Sequence, residues 1–188
     1  MANLQEVFNH CKELYNDAYT LVQNMATVVA GAMKEQGKSF DPSVTTGKFD
    51  IVLQYSLLQV AAADYDLDSN EIIFIRDITK QGDFIDFLNE VCEANETWES
   101  IYNSDVSALN KFLGGIAGPM AHMCEEIIDV FVLCDGATDF DYFTPFANVI
   151  IDIIRGVTAM DGYVSDSEER VPVLIIAMLN KIKEQLGK

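Results

Sequence analysis

Basic side chains are scarce in this chain. Its 188 residues include 12 Lys and Arg against 30 Asp and Glu, for a net charge of -18. Binding to a phosphate backbone runs on neutralisation by Lys and Arg, so this balance excludes nucleic acid as a partner. It equally disfavours docking on anionic lipid, which requires a basic patch. Cations, or basic surfaces on partner proteins, suit the charge. Histidine is nearly absent, with only His10 and His122, and neither has the spacing of a transition-metal ligand pair.

Paired cysteines are missing as well. Cys11, Cys92, Cys124 and Cys134 are scattered without a Cys-x-x-Cys, so reduced, buried thiols in a cytoplasmic protein are expected. No charged amino-terminal segment precedes an apolar run, so no signal peptide is read. The longest apolar stretches, such as Ile127 to Cys134, are interrupted by Asp129 and too short to span a bilayer. No Gly-x-Ser-x-Gly, phosphate loop or Cys with a nearby base is present, and the chain is expected to be non-enzymatic.

No stretch alternates with a period of two, and the fold expected is all-α. Apolar content of 49% supplies a core, and a chain of this length buries roughly 70% of its unfolded surface, so one domain stands without disulfides. Residues 1–36 carry a heptad pattern with Leu4, Cys11, Ala18, Met25 and Ala32 at the first position. Val7, Leu14, Leu21 and Val28 follow three residues later, then Phe8, Tyr15, Val22 and Val29. This broad stripe reads as a long amphipathic helix packed in its own bundle, or as one that forms a homodimer. Gly37 to Gly47 reads as a loop. Lys48 to Ala63 is almost wholly apolar and too long for a strand, hence a helix surrounded on most sides.

Glu71 to Lys80 resumes helical spacing, and short helices are expected at Phe84–Val91 and around Trp98. Gly114, Gly115, Gly118 and Pro119 punctuate the middle, before a helix from about Met120 to Cys134. Thr144 before Pro145 marks a helix start, running to about Met160, and a last helix spans Asp166 to Gln185. A shift of 97 residues superposes Phe49 on Phe146, Val52 on Val149, Val60 on Val157, Asp64 on Asp161 and Glu71 on Glu168. The sequence therefore predicts a helical bundle with two pseudo-repeated helix–acidic turn–helix units, residues 48–80 and 145–185, behind a long N-terminal helix.

The acidic turns are the candidate site. The first starts Asp64-Tyr65-Asp66-Leu67-Asp68, yet has Ser69 and Ile75 where a calcium-binding EF-hand loop needs Gly and Glu. Asp68 with Glu71, and Ser165 with Glu168, have capping-box spacing. Asp64 and Asp161 each close a buried helix, where the macrodipole disfavours negative charge. They are either turn residues or ligands. The ligand reading places a divalent cation, calcium or magnesium before zinc, on Asp64, Asp66, Asp68, Glu71, Asp161, Asp166 and Glu168. One shared site requires the two buried helices to run side by side in the same direction. If antiparallel, they hold the turns about 20 Å apart, at about 1.5 Å rise per residue.

The second turn, Ala159-Met160-Asp161-Gly162-Tyr163-Val164-Ser165-Asp166-Ser167-Glu168, resembles the Ala-x-Asp-Gly-x-Ile/Val-Ser-x-x-Glu signature of the tellurite-resistance TerB-like family. The first, Ala62-Ala63-Asp64-Tyr65-Asp66-Leu67-Asp68-Ser69-Asn70-Glu71, is similar but has Tyr65 where that family usually has Gly. The resemblance runs from about Phe49 to the carboxyl terminus. It implies an all-helical domain with two related halves and an acidic, cation-binding surface, of a kind found in bacterial stress-response systems. No His-Pro-Asp motif of a DnaJ-type module occurs, so co-chaperone activity is not implied. The expected function is a non-enzymatic stress-response domain that binds a cation, a protein partner or both. The alternative is an acidic helical adaptor or dimerisation module without a specific metal site.

Overall fold

The computed structural model describes residues 4–79, 83–92, 97–138, 140–160 and 166–185, and every element in them is helical. In chain order these are α1 (Leu4–Glu35), α2 (Pro42–Ala61), α3 (Ser69–Ile78), α4 (Asp83–Cys92), α5 (Trp98–Tyr102), α6 (Val106–Gly115), α7 (Ala117–Ala137), α8 (Phe143–Val157) and α9 (Asp166–Gln185). Among the described residues, no helix is long and apolar enough to cross a membrane.

The heptad pattern of α1 sorts by burial along its middle, while Leu4, Val28 and Ala32 stay exposed. Cys11, Tyr15, Ala18, Val22, Met25 and Val29 form the buried line, spaced alternately by four and three, while Val7, Leu14 and Leu21 lie half-buried along its margin. That line faces α2 and α8, with α7 beyond. The apolar run of α2 has the same cause and a stronger result. It meets α1, α3, α4, α6, α7, α8 and α9 and is the central post of the bundle. At corresponding positions of α2 and α8, the buried residues are Phe49 and Phe146, Leu53 and Ile150, Leu57 and Ile154, and Val60 and Val157.

The sequence reading did not include α6, and several boundaries differ from it, three of them for a clear physical reason. The expected loop up to Gly47 ends earlier, because Asp41 accepts a hydrogen bond from the Ser43 amide at 2.9 Å and Pro42 takes the first helical position. That start signal outweighs the polar and glycine content of residues 43–47. The Gly- and Pro-rich middle interrupts the chain at Ile116 alone, since Gly114 and Gly115 end α6 inside the helix and Pro119 fits the first turn of α7. Helix α8 begins at Phe143 rather than at Pro145. Its first amides are held by carboxylates: Asp135 accepts from Tyr142 N–H at 2.9 Å, and Asp141 accepts from Thr144 N–H at 3.0 Å. Thr144 is therefore a residue of the helix and not its cap.

Several polar groups inside the bundle are matched to one another. Asp50 on α2 is 1% exposed and accepts from the Tyr15 hydroxyl at 2.7 Å. One turn further along α2, the Gln54 side chain donates to the Thr79 hydroxyl and accepts from Phe84 N–H at 3.1 Å. The Lys12 ammonium donates to the carbonyls of Asp77 and Ile78, at the end of α3 where the helix dipole favours a cation. Burial lowers the pKa of Lys12, opposed by the nearby carboxylates of Asp77 and Asp50. These bonds tie α1 and α2 to both ends of the 79–84 connection.

Helix α8 approaches α1 most closely at Gly156. A Cβ there would overlap the Cys11 sulfur and touch the ring of Phe74. The free thiols of Cys11 and Cys134 are buried and that of Cys124 is half-buried, while the side chain of Cys92 lies outside the described residues. Burial, with Asp152 adding to it, pushes the Cys11 thiol up to about 11.

Candidate functional site

The first acidic turn leaves the buried end of α2, whose last carbonyls are partly held from outside: Asn110 donates to Ala62 O at 2.7 Å. Asp64 then folds the chain back, accepting from Asp66 N–H at 2.9 Å in an Asx-type turn. Between them Tyr65 has a φ of 70°, the left-handed region that glycine prefers. This is the position at which the family signature usually has Gly, and the Tyr65 side chain extends into solvent, 66% exposed.

Asp68 and Glu71 form the capping box that their spacing implies. The Asp68 carboxylate accepts from Asn70 N–H at 2.6 Å, and Glu71 returns to accept from Asp68 N–H at 2.9 Å. Glu71 is itself buried, and Leu67 packs against the core just ahead of the cap. Of the four candidate ligands in this turn, Asp66 is the most open to solvent, while Asp64, Asp68 and Glu71 each hold a backbone amide.

The second turn, including Asp161, Ser165 and its cap, lies outside the described residues. Asp166 and Glu168 fall in the first turn of α9, and their side chains lie outside the description too. The approach to that turn is visible. Phe49 of α2 and Phe146 in the first turn of α8 have ring centroids 5.8 Å apart. At the other end, Met160 lines a hollow of about 240 Å³ together with Asn70, Ile73 and Asp77 of α3. The chain leaving α8 thus comes alongside α3. Among the described residues, no three His, Cys, Asp or Glu side chains gather as a set that could hold a metal ion.

A different surface carries uncommitted side chains. Helix α9 packs Leu179 into the core and rests Ile175, Ile176 and Ile182 against it. Its other side presents Val173, Leu174 and Met178, which are 61%, 68% and 46% exposed. Ala177 lies between them, also exposed, and Arg170 and Lys181 stand at the two ends of this stripe. Lys183 reaches back to Asn148 Oδ1 at 3.5 Å, which places α9 antiparallel along α8. Across from α9, helix α7 exposes Glu125 and Asp129.

The sequence reading did not single out this stripe, nor Lys12, Asp50, Gln54 and Thr79. The signal for Asp50 and Gln54 was available: two polar residues four apart on one face of a largely apolar run must find partners inside. The α9 stripe had none, because Val173 and Leu174 look the same in sequence as Ile175 and Ile176.

Comparison of the chain with protein-family models, with curated proteins and with solved structures finds no match.

Proposed function

We propose that the chain is a non-enzymatic helical association module, meeting a protein partner through its acidic surface and the uncovered apolar stripe of α9. The observation that carries this is Leu174, 68% exposed between Val173 and Met178 on a helix whose opposite side is packed. Contiguous exposed apolar side chains mark interaction surfaces, whereas single ones are ordinary. The net charge of -18 adds long-range steering toward a basic partner. The resemblance of the two turns to the TerB-like signature supports placing this association in a stress response.

Proximity labelling in the cell of origin, with wild-type protein beside Leu174→Glu, tests the reading. The variant is expected to melt like the wild type and to lose a defined set of neighbours. An unchanged set of neighbours would overturn it.

A second reading keeps a divalent cation, calcium or magnesium before zinc, between the turns. What favours it is Met160 in one hollow with Asn70, which brings the chain entering the second turn to the helix that follows the first. In that reading Asp64 and Asp66 supply oxygens from one side and Asp161 from the other. Ion-selective, saturating stabilisation, removed by Asp161→Asn, is the result it requires.

A further inference from the structure

Between α7 and α9 the surface opens onto a cavity of about 90 Å³, floored by α2 and α8. Phe49, Leu53, Ile128, Ile150, Ile175 and Met178 are among the apolar residues of its wall. The side chains in it that carry a hydroxyl or thiol are Ser56 and Cys124. The Ser56 hydroxyl already donates to the carbonyl of Val52 within its own helix, at 2.8 Å. The Cys124 thiol is held in its neutral form, its pKa raised by burial first and by Glu125 second. The cavity therefore selects a hydrocarbon group. Its volume is far below the roughly 300–1,000 Å³ of sites that enclose drug-sized ligands, and suits one apolar side chain presented from outside.

The rim indicates what would present it. Met178 belongs both to the cavity wall and to the exposed stripe of α9, so the slot and the stripe are continuous. On the α7 side, Glu125 and Asp129 follow the wall residues Cys124 and Ile128 and form an exposed acidic edge. A second copy of this chain is a poor occupant, because each carries a charge of -18. An amphipathic helix with apolar anchors on one face and Lys or Arg beside them matches slot, stripe and edge together.

We infer that the groove between α7 and α9 seats an amphipathic helix of a partner protein. One aliphatic side chain fills the cavity, and basic residues face Glu125 and Asp129. This rests on the association reading above and names the seat and the chemistry of its partner.

The test is fluorescence anisotropy with a labelled Leu/Lys helical peptide, a Leu/Glu peptide of the same pattern, and a Leu/Lys peptide with its leucines scattered around the helix. The first should bind saturably and the other two at least tenfold more weakly. Leu174→Glu and the double variant Glu125→Lys, Asp129→Lys should each weaken the first peptide about tenfold, a change of about 1.4 kcal/mol. Photo-leucine at the anchor position should cross-link to α7, α8 or α9. Equal binding of the scattered peptide would mean charge attraction alone and overturn the proposal, as would absence of binding or cross-links elsewhere. A dimer in sedimentation that Leu174→Glu dissolves would assign the groove to a second copy and also overturn it. Loss of cellular neighbours in Leu174→Glu without peptide binding would leave the association reading standing and remove only this occupant.

Discussion

The first acidic turn and the groove between α7 and α9 differ in a way that residue type alone conceals. The turn is rich in carboxylates, yet Asp64, Asp68 and Glu71 each accept a backbone amide and so shape the chain. The groove contains almost nothing reactive, yet Val173, Leu174 and Met178 are exposed and border an apolar cavity. What distinguishes a structural region from a binding region here is whether its side chains are already engaged. Carboxylates that satisfy helix-terminal amides do the ordinary work of stopping and starting helices. Apolar side chains in solvent do no such work.

Helix α8 lies beneath the comparison, sealed on one side and open on the other. On the sealed side Gly156 meets Cys11, and on the open side Ile150 and Ile154 line the groove. The largest effect is expected on the sealed side. Gly156→Val should lower unfolding free energy by about 3 kcal/mol, the upper end for overpacking a dense core. Denaturant titration measures it, and adding Cys11→Ala should recover part of the loss, because the two sites share one contact.

In the turn, Asp68→Ala removes a cap acceptor and should cost about 1 kcal/mol, while Asp68→Asn should cost clearly less. Equal losses for the two would contradict the capping role. A separate, pH-dependent effect belongs to Cys11. Its pKa of about 11 in the folded state exceeds the ordinary thiol value of 9.0. The folded state therefore holds its proton where the unfolded chain releases it. The contribution is intact below pH 9 and is lost as pH rises through about 11. Across that window the stability of wild type should fall more steeply than that of Cys11→Ala. The smallest effect on stability is expected at the groove, where Leu174→Glu should stay within about 0.5 kcal/mol of wild type. A large loss there would mean that the stripe belongs to the core and would collapse the comparison.

Much of the fold was legible because helices announce themselves through period and caps. The stripe of α1, the largely apolar run of α2, the box of Asp68 with Glu71 and the span of α9 each have a local cause that a sequence displays. The misplaced starts of α2 and α8 show the limit. Asp41 and Pro42 were legible but were outweighed by glycine and serine. The capping of α8 by Asp135 comes from the end of α7, a tertiary contact that no local pattern reveals. In the first acidic turn the cap of Asp68 with Glu71 was legible, whereas the bond from Asp66 N–H to Asp64 was not. The groove was illegible altogether, since its existence depends on which apolar residues of α9 the bundle fails to cover.

Thermal unfolding of chelator-stripped protein at fixed ionic strength, with calcium, magnesium, manganese or zinc added in turn, tests the central claim most directly. That claim is that the turn's carboxylates serve the fold while binding resides at the groove. It predicts small and equal shifts for all four ions, unchanged by Asp64→Asn, as expected for screening of a charge of -18. A selective rise reaching about 2.7 kcal/mol at a hundredfold excess over Kd, abolished by Asp64→Asn, would contradict it and place the function in the turn.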